Sequence, residues 1–381
     1  MKNTIRIILM LVFSTTILPT KAQDSYFIDS LKKALKQPQS DSIKLDILGE
    51  LCWEVGYINI NEALAYGHQG IALAIRSNRK GALAQLNSNL GSVYTRNSQF
   101  ETSILYYKKA LQLFQELGNK KKVAGIFTNI SINYSNIGQY ELALKYALIS
   151  LKEFEIMKDY QLISHAASTI SEIYNAMEND AKSLEYGHIC MKYARLSKNE
   201  ECIAIANSCL MVAYPANDPD KKAFKHAFRL LRYLETVNQP VNSANTTYTL
   251  GTLYSELGKI KLSNFYHLKA LALYNSIDDD NGRASVYKSL ARNYSKLKQY
   301  DIAETYANKS LVILEKLNDR KLLIELLDIM STIYNKKKDY KKAYQYLNRT
   351  YDLNSDLFKN QIGKHFAEMQ TLYETEKKEN Q

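Results

Sequence analysis

The sequence repeats itself every 40 residues, and this period limits the possible folds more than any other feature. Two columns of aromatic residues and one column of small residues recur in phase along the chain. A period of this length accommodates one pair of helices, and a single pair cannot bury both of its faces alone. The repeat therefore predicts a solenoid in which successive helix pairs stack on one another.

Three columns of equivalent positions define the repeat. The first column contains Tyr94, Tyr134, Tyr174, Tyr214, Tyr254, Tyr294 and Tyr334. The second contains Tyr66, Tyr106, Tyr146, Tyr186, Tyr266, Tyr306 and Tyr346, with His226 in the remaining position. The third contains Ala63, Ser103, Ala143, Ser183, Ala223, Ser263, Ala303 and Ala343. We expect the small residues to let the two helices of a pair approach closely. The tyrosines should fill the space between one pair and the next.

Each period contains two helical segments joined by polar turns. Leu90, Val93 and Tyr94 follow the i, i+3, i+4 spacing of a helix, and a second amphipathic segment follows Gln99. A residue that can cap a helix recurs between periods, at Asn119, Asp159, Asn199, Asp279 and Asp319. Gln239 takes this position once, before Pro240, which suits the first position of a helix. These signals predict an all-α chain of antiparallel helix pairs.

The columns resemble the tetratricopeptide repeat (TPR). Its pattern of a Leu-Gly pair followed by aromatic and small positions is matched by Leu90-Gly91, Tyr94, Phe100, Ser103, Tyr107 and Ala110. The usual TPR period is about 34 residues, whereas the longer period here is similar to the variety found in bacterial regulators. The resemblance covers roughly residues 43–351. It implies a right-handed superhelical solenoid of about eight repeats, followed by a C-terminal helix.

The end of the chain resembles a second, narrower group of proteins. Residues 368–379 look like the segment that follows the exported sensory region of TPR-containing sensor histidine kinases and related helix-turn-helix regulators. Ile362, Phe366, Met369 and Tyr373 have the spacing of a short coiled-coil seam, which would allow a dimer. No kinase or DNA-binding residues occur up to Gln381, so neither activity is carried over. This resemblance implies, as an alternative function, the detached or truncated sensory half of a membrane two-component signalling protein.

The first residues are typical of an export signal. Lys2 and Arg6 precede an apolar stretch at residues 7–18, which is too short to span a membrane. We expect residues 1–22 to be a signal peptide cleaved near Ala22, residues 23–42 a capping segment, residues 43–351 the repeat array and residues 352–381 a C-terminal helix. The mature protein would be periplasmic or secreted, with membrane contact only through a partner.

The sequence contains no recognisable catalytic motif. It has no Gly-rich phosphate loop, zinc-protease motif or nucleophile elbow, and its six histidines lack ligand spacing. We therefore predict a protein that is not an enzyme and uses no cofactor and no metal. Export argues against a nucleic-acid partner despite the net charge of +11. The four cysteines leave three alternatives open: buried free thiols, one disulfide involving Cys190, or a metal site.

The predicted function is binding of a protein or peptide segment, for sensing or scaffolding. In the TPR the first helix of each pair lines the concave groove, and related arrays hold an extended peptide with Asn residues placed like Asn89 and Asn129. The further groove candidates are Thr169, Ile205, Val212, Tyr248, Thr249, Lys288 and Arg292. Two alternatives remain open. The Asn and Thr residues could merely solvate the groove, and Lys288 and Arg292 could pair with Glu325 and Asp328 within the chain.

One pair departs from the pattern. Pro215 directly follows Tyr214 and predicts that this helix ends early, since proline cannot continue a helix. The segment is either a lengthened turn or a point at which the array flexes.

Overall fold

A computed structural model describes residues 21–355 apart from residue 318, and these residues form an all-α structure. The chain divides into two compact units, Met1–Gln239 and Pro240–Gln381. The predicted signal peptide lies outside the described residues, except that Lys21 and Ala22 begin the first helix. The predicted coiled-coil seam at residues 362–373 also lies outside them.

The first unit contains a lone helix and five antiparallel helix pairs in its described part. Helix α1 is Lys21–Leu35. The pairs are α2 (Asp41–Val55) with α3 (Ile60–Arg76), α4 (Lys80–Arg96) with α5 (Phe100–Glu116), α6 (Lys120–Asn136) with α7 (Tyr140–Met157), α8 (Tyr160–Ala176) with α9 (Asp180–Ser197), and α10 (Glu200–Ala213) with α11 (Lys222–Thr236).

The second unit continues the same arrangement. Its pairs are α12 (Pro240–Glu256) with α13 (Ile260–Ser276), α14 (Asp280–Lys296) with α15 (Tyr300–Leu317), and α16 (Arg320–Lys336) with a helix over residues 340–355. Within each unit, the first helix of a pair contacts both its own partner and the first helix of the next pair.

Turns of the same conformation separate successive helices at regular intervals. A residue with positive φ recurs every 20 residues, as at Asn78, Ser98, Gly118 and Gly138. The predicted caps are confirmed: the side chains of Asn119, Asp159, Asn199, Asp279 and Asp319 each accept a hydrogen bond from a backbone amide three residues later. Because the cap and the left-handed residue fix both ends of a turn, each helix starts in the same phase.

The irregular pair has the early helix end that its prolines predict. Helix α10 stops at Ala213, and Tyr214 has extended backbone with ψ of 135°. The left-handed residue of the following turn is Lys221, three residues later than the regular spacing would place it. The structure therefore contains a lengthened turn here, and flexing at this point stays a prediction.

The small column lies where the two helices of a pair are closest. All eight of its residues are buried, and Ser103 Oγ donates a hydrogen bond to the Gly91 carbonyl at 2.8 Å. This contact joins the two helices of one pair, α4 and α5. A larger side chain would push the helices apart and remove that contact.

The tyrosine columns make a contact that the sequence analysis does not predict. Tyr94 and Tyr106 belong to the same pair, and their rings stack at a centroid distance of 5.1 Å. Equivalent stacks recur in every later pair, and Tyr214 stacks on His226 where the second tyrosine is missing. The hairpin explains this arrangement, because the end of the first helix lies beside the start of the second. The tyrosines also pack against clusters that join neighbouring pairs, as expected.

Candidate functional site

The first helices of successive pairs lie side by side within each unit, so equivalent residues on them form columns across one face. We call the surface of α4, α6, α8 and α10 the N-terminal face, and the surface of α12, α14 and α16 the C-terminal face. Residues 40 apart, such as Asn89, Asn129 and Thr169, are neighbours on the N-terminal face because α4, α6 and α8 contact one another in sequence.

Asn89 has both ends of its amide occupied within the chain. The residue is buried, its Nδ2 donates to the Gly49 carbonyl at 2.9 Å, and its Oδ1 accepts from Gln85 Nε2 at 2.8 Å. The first of these bonds joins α4 to α2. Asn89 therefore holds two first helices together, and both polar atoms of its amide are bonded within the chain.

Asn129 differs from Asn89 although the two occupy equivalent positions. Its side chain is half-buried and has no hydrogen-bond partner within the described part of the chain. Thr169, the next residue in the column, is buried and donates its hydroxyl to the His165 carbonyl at 3.2 Å. Ile205 is buried and Val212 is half-buried. Of the predicted polar residues on this face, Asn129 is the one with an available side chain.

Replacing Asn89 by alanine is expected to lower the free energy of unfolding by about 1–2 kcal/mol, because it removes a buried hydrogen bond between α4 and α2. Denaturant unfolding followed by circular dichroism would measure the loss. Asn129→Ala is the matched control and should change stability by less than about 0.5 kcal/mol. Equal losses in the two variants would contradict this assignment.

The N-terminal face also contains an acidic residue that the sequence analysis missed. Glu172 lies on α8 in the column of Val212, is half-buried, and has no hydrogen bond or ion pair within the described residues. Burial raises its pKa to about 8. The sequence does contain a signal for Glu172. The equivalent residues of the neighbouring repeats, Ser92, Ile132 and Val212, are all uncharged.

On the C-terminal face Lys288 is paired within the chain. Its side chain is only 1% exposed, and Nζ lies 2.6 Å from Glu325 Oε2. Burial lowers the pKa of Lys288, and the charge of Glu325 opposes that shift. For Lys288 the structure thus supports internal pairing, the alternative left open by the sequence, rather than a direct contact with a ligand.

The other predicted residues of the C-terminal face fall into two groups. Tyr248 and Thr249 are buried; the Tyr248 hydroxyl lies 3.0 Å from Ser289 Oγ, and the Thr249 hydroxyl donates to the Asn245 carbonyl at 3.0 Å. Arg292 is half-buried, and its guanidinium has no hydrogen bond or ion pair to a described residue. Internal pairing of Arg292 with Asp328, which the sequence left open as an alternative, is not among the ion pairs of this part of the chain. Arg292 is therefore an available cation on this face.

The four cysteines are buried free thiols in this structure. Cys190 Sγ lies 3.3 Å from Ser164 Oγ, and Cys202 Sγ lies 3.7 Å from His165 Nε2. Within the described residues, no group of three or more His, Cys, Asp or Glu side chains is placed to hold a metal ion. The helices described there also include none with the length and apolar character needed to span a membrane.

The family follows from these repeats. A family model for the tetratricopeptide repeat matches residues 82–152 and 242–316. Both of these segments are tetratricopeptide repeats. No curated protein sequence matches it.

Several solved structures are similar to this chain in fold. The apo form of the quorum sensor NprR from B. thuringiensis is 14% identical, with 91% of this chain and 96% of that chain covered and a TM-score of 0.65. A Rap protein complexed with Competence and Sporulation Factor is 16% identical over 94% of this chain and 98% of that one, with a TM-score of 0.61. Aspartyl phosphate phosphatase F from Bacillus subtilis is 15% identical over 93% of each chain, with a TM-score of 0.60. Identities this low establish the fold alone.

Proposed function

We propose that this chain is a non-catalytic interaction module that binds a peptide or an extended protein segment on the surface of its first helices. The observation that carries the proposal is that the first helices of each unit have an available polar side chain, Asn129 on the N-terminal face and Arg292 on the C-terminal face. Most polar side chains around them are already bonded within the chain. An unpaired amide and an unpaired guanidinium suit the carbonyl and carboxylate groups of a peptide.

Two solved neighbours support this kind of ligand. One is a Rap protein in complex with Competence and Sporulation Factor, and the other is a Rap conjugation gene regulator in complex with the Phr* peptide. Both share the fold of this chain at low identity. We further propose that the protein is exported and acts in the periplasm or outside the cell, as its first 22 residues predict.

Binding of displayed peptides would test the proposed function. We expect the chain to enrich a set of extended peptides from a random library. Asn129→Ala and Arg292→Ala should each weaken binding of the enriched peptides by about tenfold, the equivalent of one lost charge-assisted or buried hydrogen bond. Leu148→Ala and Arg229→Ala serve as controls, because both residues lie on exposed positions of second helices. Their binding should match wild type.

The outcomes separate the proposal from a scaffold that uses another surface. Loss of binding in the second-helix variants, with no change in Asn129→Ala or Arg292→Ala, would move the binding surface away from the first helices. Failure to enrich any peptide would contradict the proposed function itself.

A further inference from the structure

Helix α8 lies in the middle of the N-terminal face, between α6 and α10, and contacts both. Along the face of α8, Ser168 and Thr169 are buried, whereas His165 and Glu172 are half-buried. His165 and Glu172 are seven residues apart, which is two helical turns and about 10.5 Å. Solvent therefore reaches the central part of this face at two ionisable side chains.

Glu172 is a carboxyl group without a neighbouring counter-charge. It has neither a hydrogen bond nor an ion pair to any residue in the described ranges, and burial is the sole cause of its raised pKa. An isolated carboxylate in a protein interior is costly unless a cation or several donors compensate it. The Glu172 carboxyl group is thus a hydrogen-bond acceptor without a donor among the described side chains.

A second unsatisfied acceptor lies one turn further along α8. Asn175 is 7% exposed, and its Oδ1 is a buried atom without a hydrogen-bond partner among the described residues. Residues three apart on a helix are neighbours on its surface. Glu172 and Asn175 therefore occupy adjacent positions on α8, and each has a side-chain oxygen acceptor without a donor among the described residues.

The two first helices beside α8 place no basic side chain level with this position. On α6 the neighbouring residues of the face are Asn129 and Ile132, and on α10 they are Cys209 and Val212. Burial lowers the pKa of His165. The pKa of Cys209 is raised by its hydrogen bond with the Cys190 thiol, by burial and by the charge of Glu172. Both shifts favour the uncharged forms of His165 and Cys209, so the carboxylate of Glu172 faces neutral groups.

We infer that Glu172 and Asn175 form a recognition site for a cationic group of the bound peptide, a lysine or N-terminal ammonium or an arginine guanidinium. The inference rests on the proposed function and adds to it the charge of the ligand at one position. An ammonium group has three donors and a guanidinium has five, so either could bond to both oxygens at once. Asn129 lies on the neighbouring helix α6 at the position equivalent to Thr169, one turn before Glu172.

Charge recognition by Glu172 has a consequence that can be measured. An incoming cation favours the ionised carboxylate, so a peptide that binds to the protonated form displaces its proton. Between the ordinary pKa of Glu and the raised value in the free protein, binding should therefore release protons. The site would bind its cation more tightly as the pH rises towards 8.

The test compares wild type with Glu172→Gln, and uses Glu155→Gln on the exposed surface of α7 as the matched control. A random peptide library displayed with both free and acetylated N-termini is the probe. Wild type and the control should enrich peptides with a cation at one fixed position, whereas Glu172→Gln should lose that preference and bind the same peptides about tenfold more weakly. Calorimetry at pH 7 in two buffers of different ionisation enthalpy should show proton release for wild type and for Glu155→Gln, and none for Glu172→Gln.

Three outcomes have distinct meanings. Enriched peptides without a fixed cation, or equal binding by Glu172→Gln, would overturn the cation site and leave the proposed function intact. No enriched peptide at all would contradict the proposed function.

Asn175→Leu provides a second variant. It should weaken the binding of cationic peptides, while a neutral variant of each peptide binds as it does to wild type. Glu172→Gln should also fold, since it removes an unpaired carboxylate, and its unfolding midpoint at pH 8 should equal or exceed that of wild type.

Discussion

Replacing Glu325 by alanine is expected to lower the free energy of unfolding of the second unit by about 3 kcal/mol. The change leaves the ammonium of Lys288 buried without its counter-charge, and breaking a buried pair from one side is far more costly than removing both partners. Lys288 is 1% exposed and its Nζ lies 2.6 Å from Glu325 Oε2, so no water can replace the carboxylate easily. Urea unfolding monitored by circular dichroism would measure the loss.

The pH dependence of this variant has a definite sign. The folded-state pKa of Lys288 is below its ordinary value, and without Glu325 it should fall further. The unfolded chain then binds more protons than the folded chain over the interval between the two pKa values, so stability rises with pH across it. The deficit of Glu325→Ala should therefore be smaller at pH 10 than at pH 7.

Two further variants make this prediction falsifiable. Lys288→Met combined with Glu325→Leu should recover most of the stability, because it replaces the pair by apolar groups of similar size. Glu315→Gln breaks the exposed pair of Glu315 with Arg349 and should cost less than about 1 kcal/mol. If the double variant were as unstable as Glu325→Ala, the unpaired lysine would not be the cause.

Replacing Gly282 by alanine is expected to cost about 3 kcal/mol. A Cβ atom at this position would overlap the ring of Tyr274, which is 2% exposed and donates its hydroxyl to Asn245 Oδ1 at 2.5 Å. The ring belongs to the preceding helix α13, so relieving the overlap requires α13 and α14 to separate or the buried hydrogen bond to break. Overpacking of a close-packed core is costly for this reason.

Gly81→Ala is the matched control for Gly282→Ala. Gly81 also lies in the first turn of a first helix, and a Cβ atom there would meet no atom within 4 Å. The control should be neutral or gain up to about 1 kcal/mol, because alanine favours the helix more than glycine. Similar destabilisation in both variants would show that the loss comes from backbone conformation and not from the contact with Tyr274. Thermal unfolding of both variants would decide between these causes.

The sequence predicted the local features of the fold because they depend on neighbours along the chain. The caps at Asn119 and Asp279 act on amides three residues away, and the early end of α10 follows directly from Pro215. The tyrosine columns were visible as a period. Their stacking within each pair was not, because it depends on how closely the end of one helix lies to the start of the next.

The candidate site shows where sequence reasoning fails. Asn89 and Asn129 occupy equivalent positions in consecutive repeats, yet one amide bonds to the Gly49 carbonyl and the other is available. The difference arises on α2, which supplies a partner within reach of Asn89. Glu172 was missed because a single acidic residue in a helix is ordinary in sequence and becomes notable only when nothing nearby neutralises it.

By itself, the sequence determined that this chain is an array of helix pairs with a 40-residue period, because repeated columns of Leu, Tyr and small residues permit few other ways to bury apolar surface. Only the tertiary structure decided which polar groups on the first helices are satisfied. Lys288 forms an ion pair with Glu325, whereas Arg292 and Glu172 have no partner among the described residues. Pairing depends on distances between side chains that lie about 40 residues apart in sequence, and the packing of successive helix pairs sets those distances.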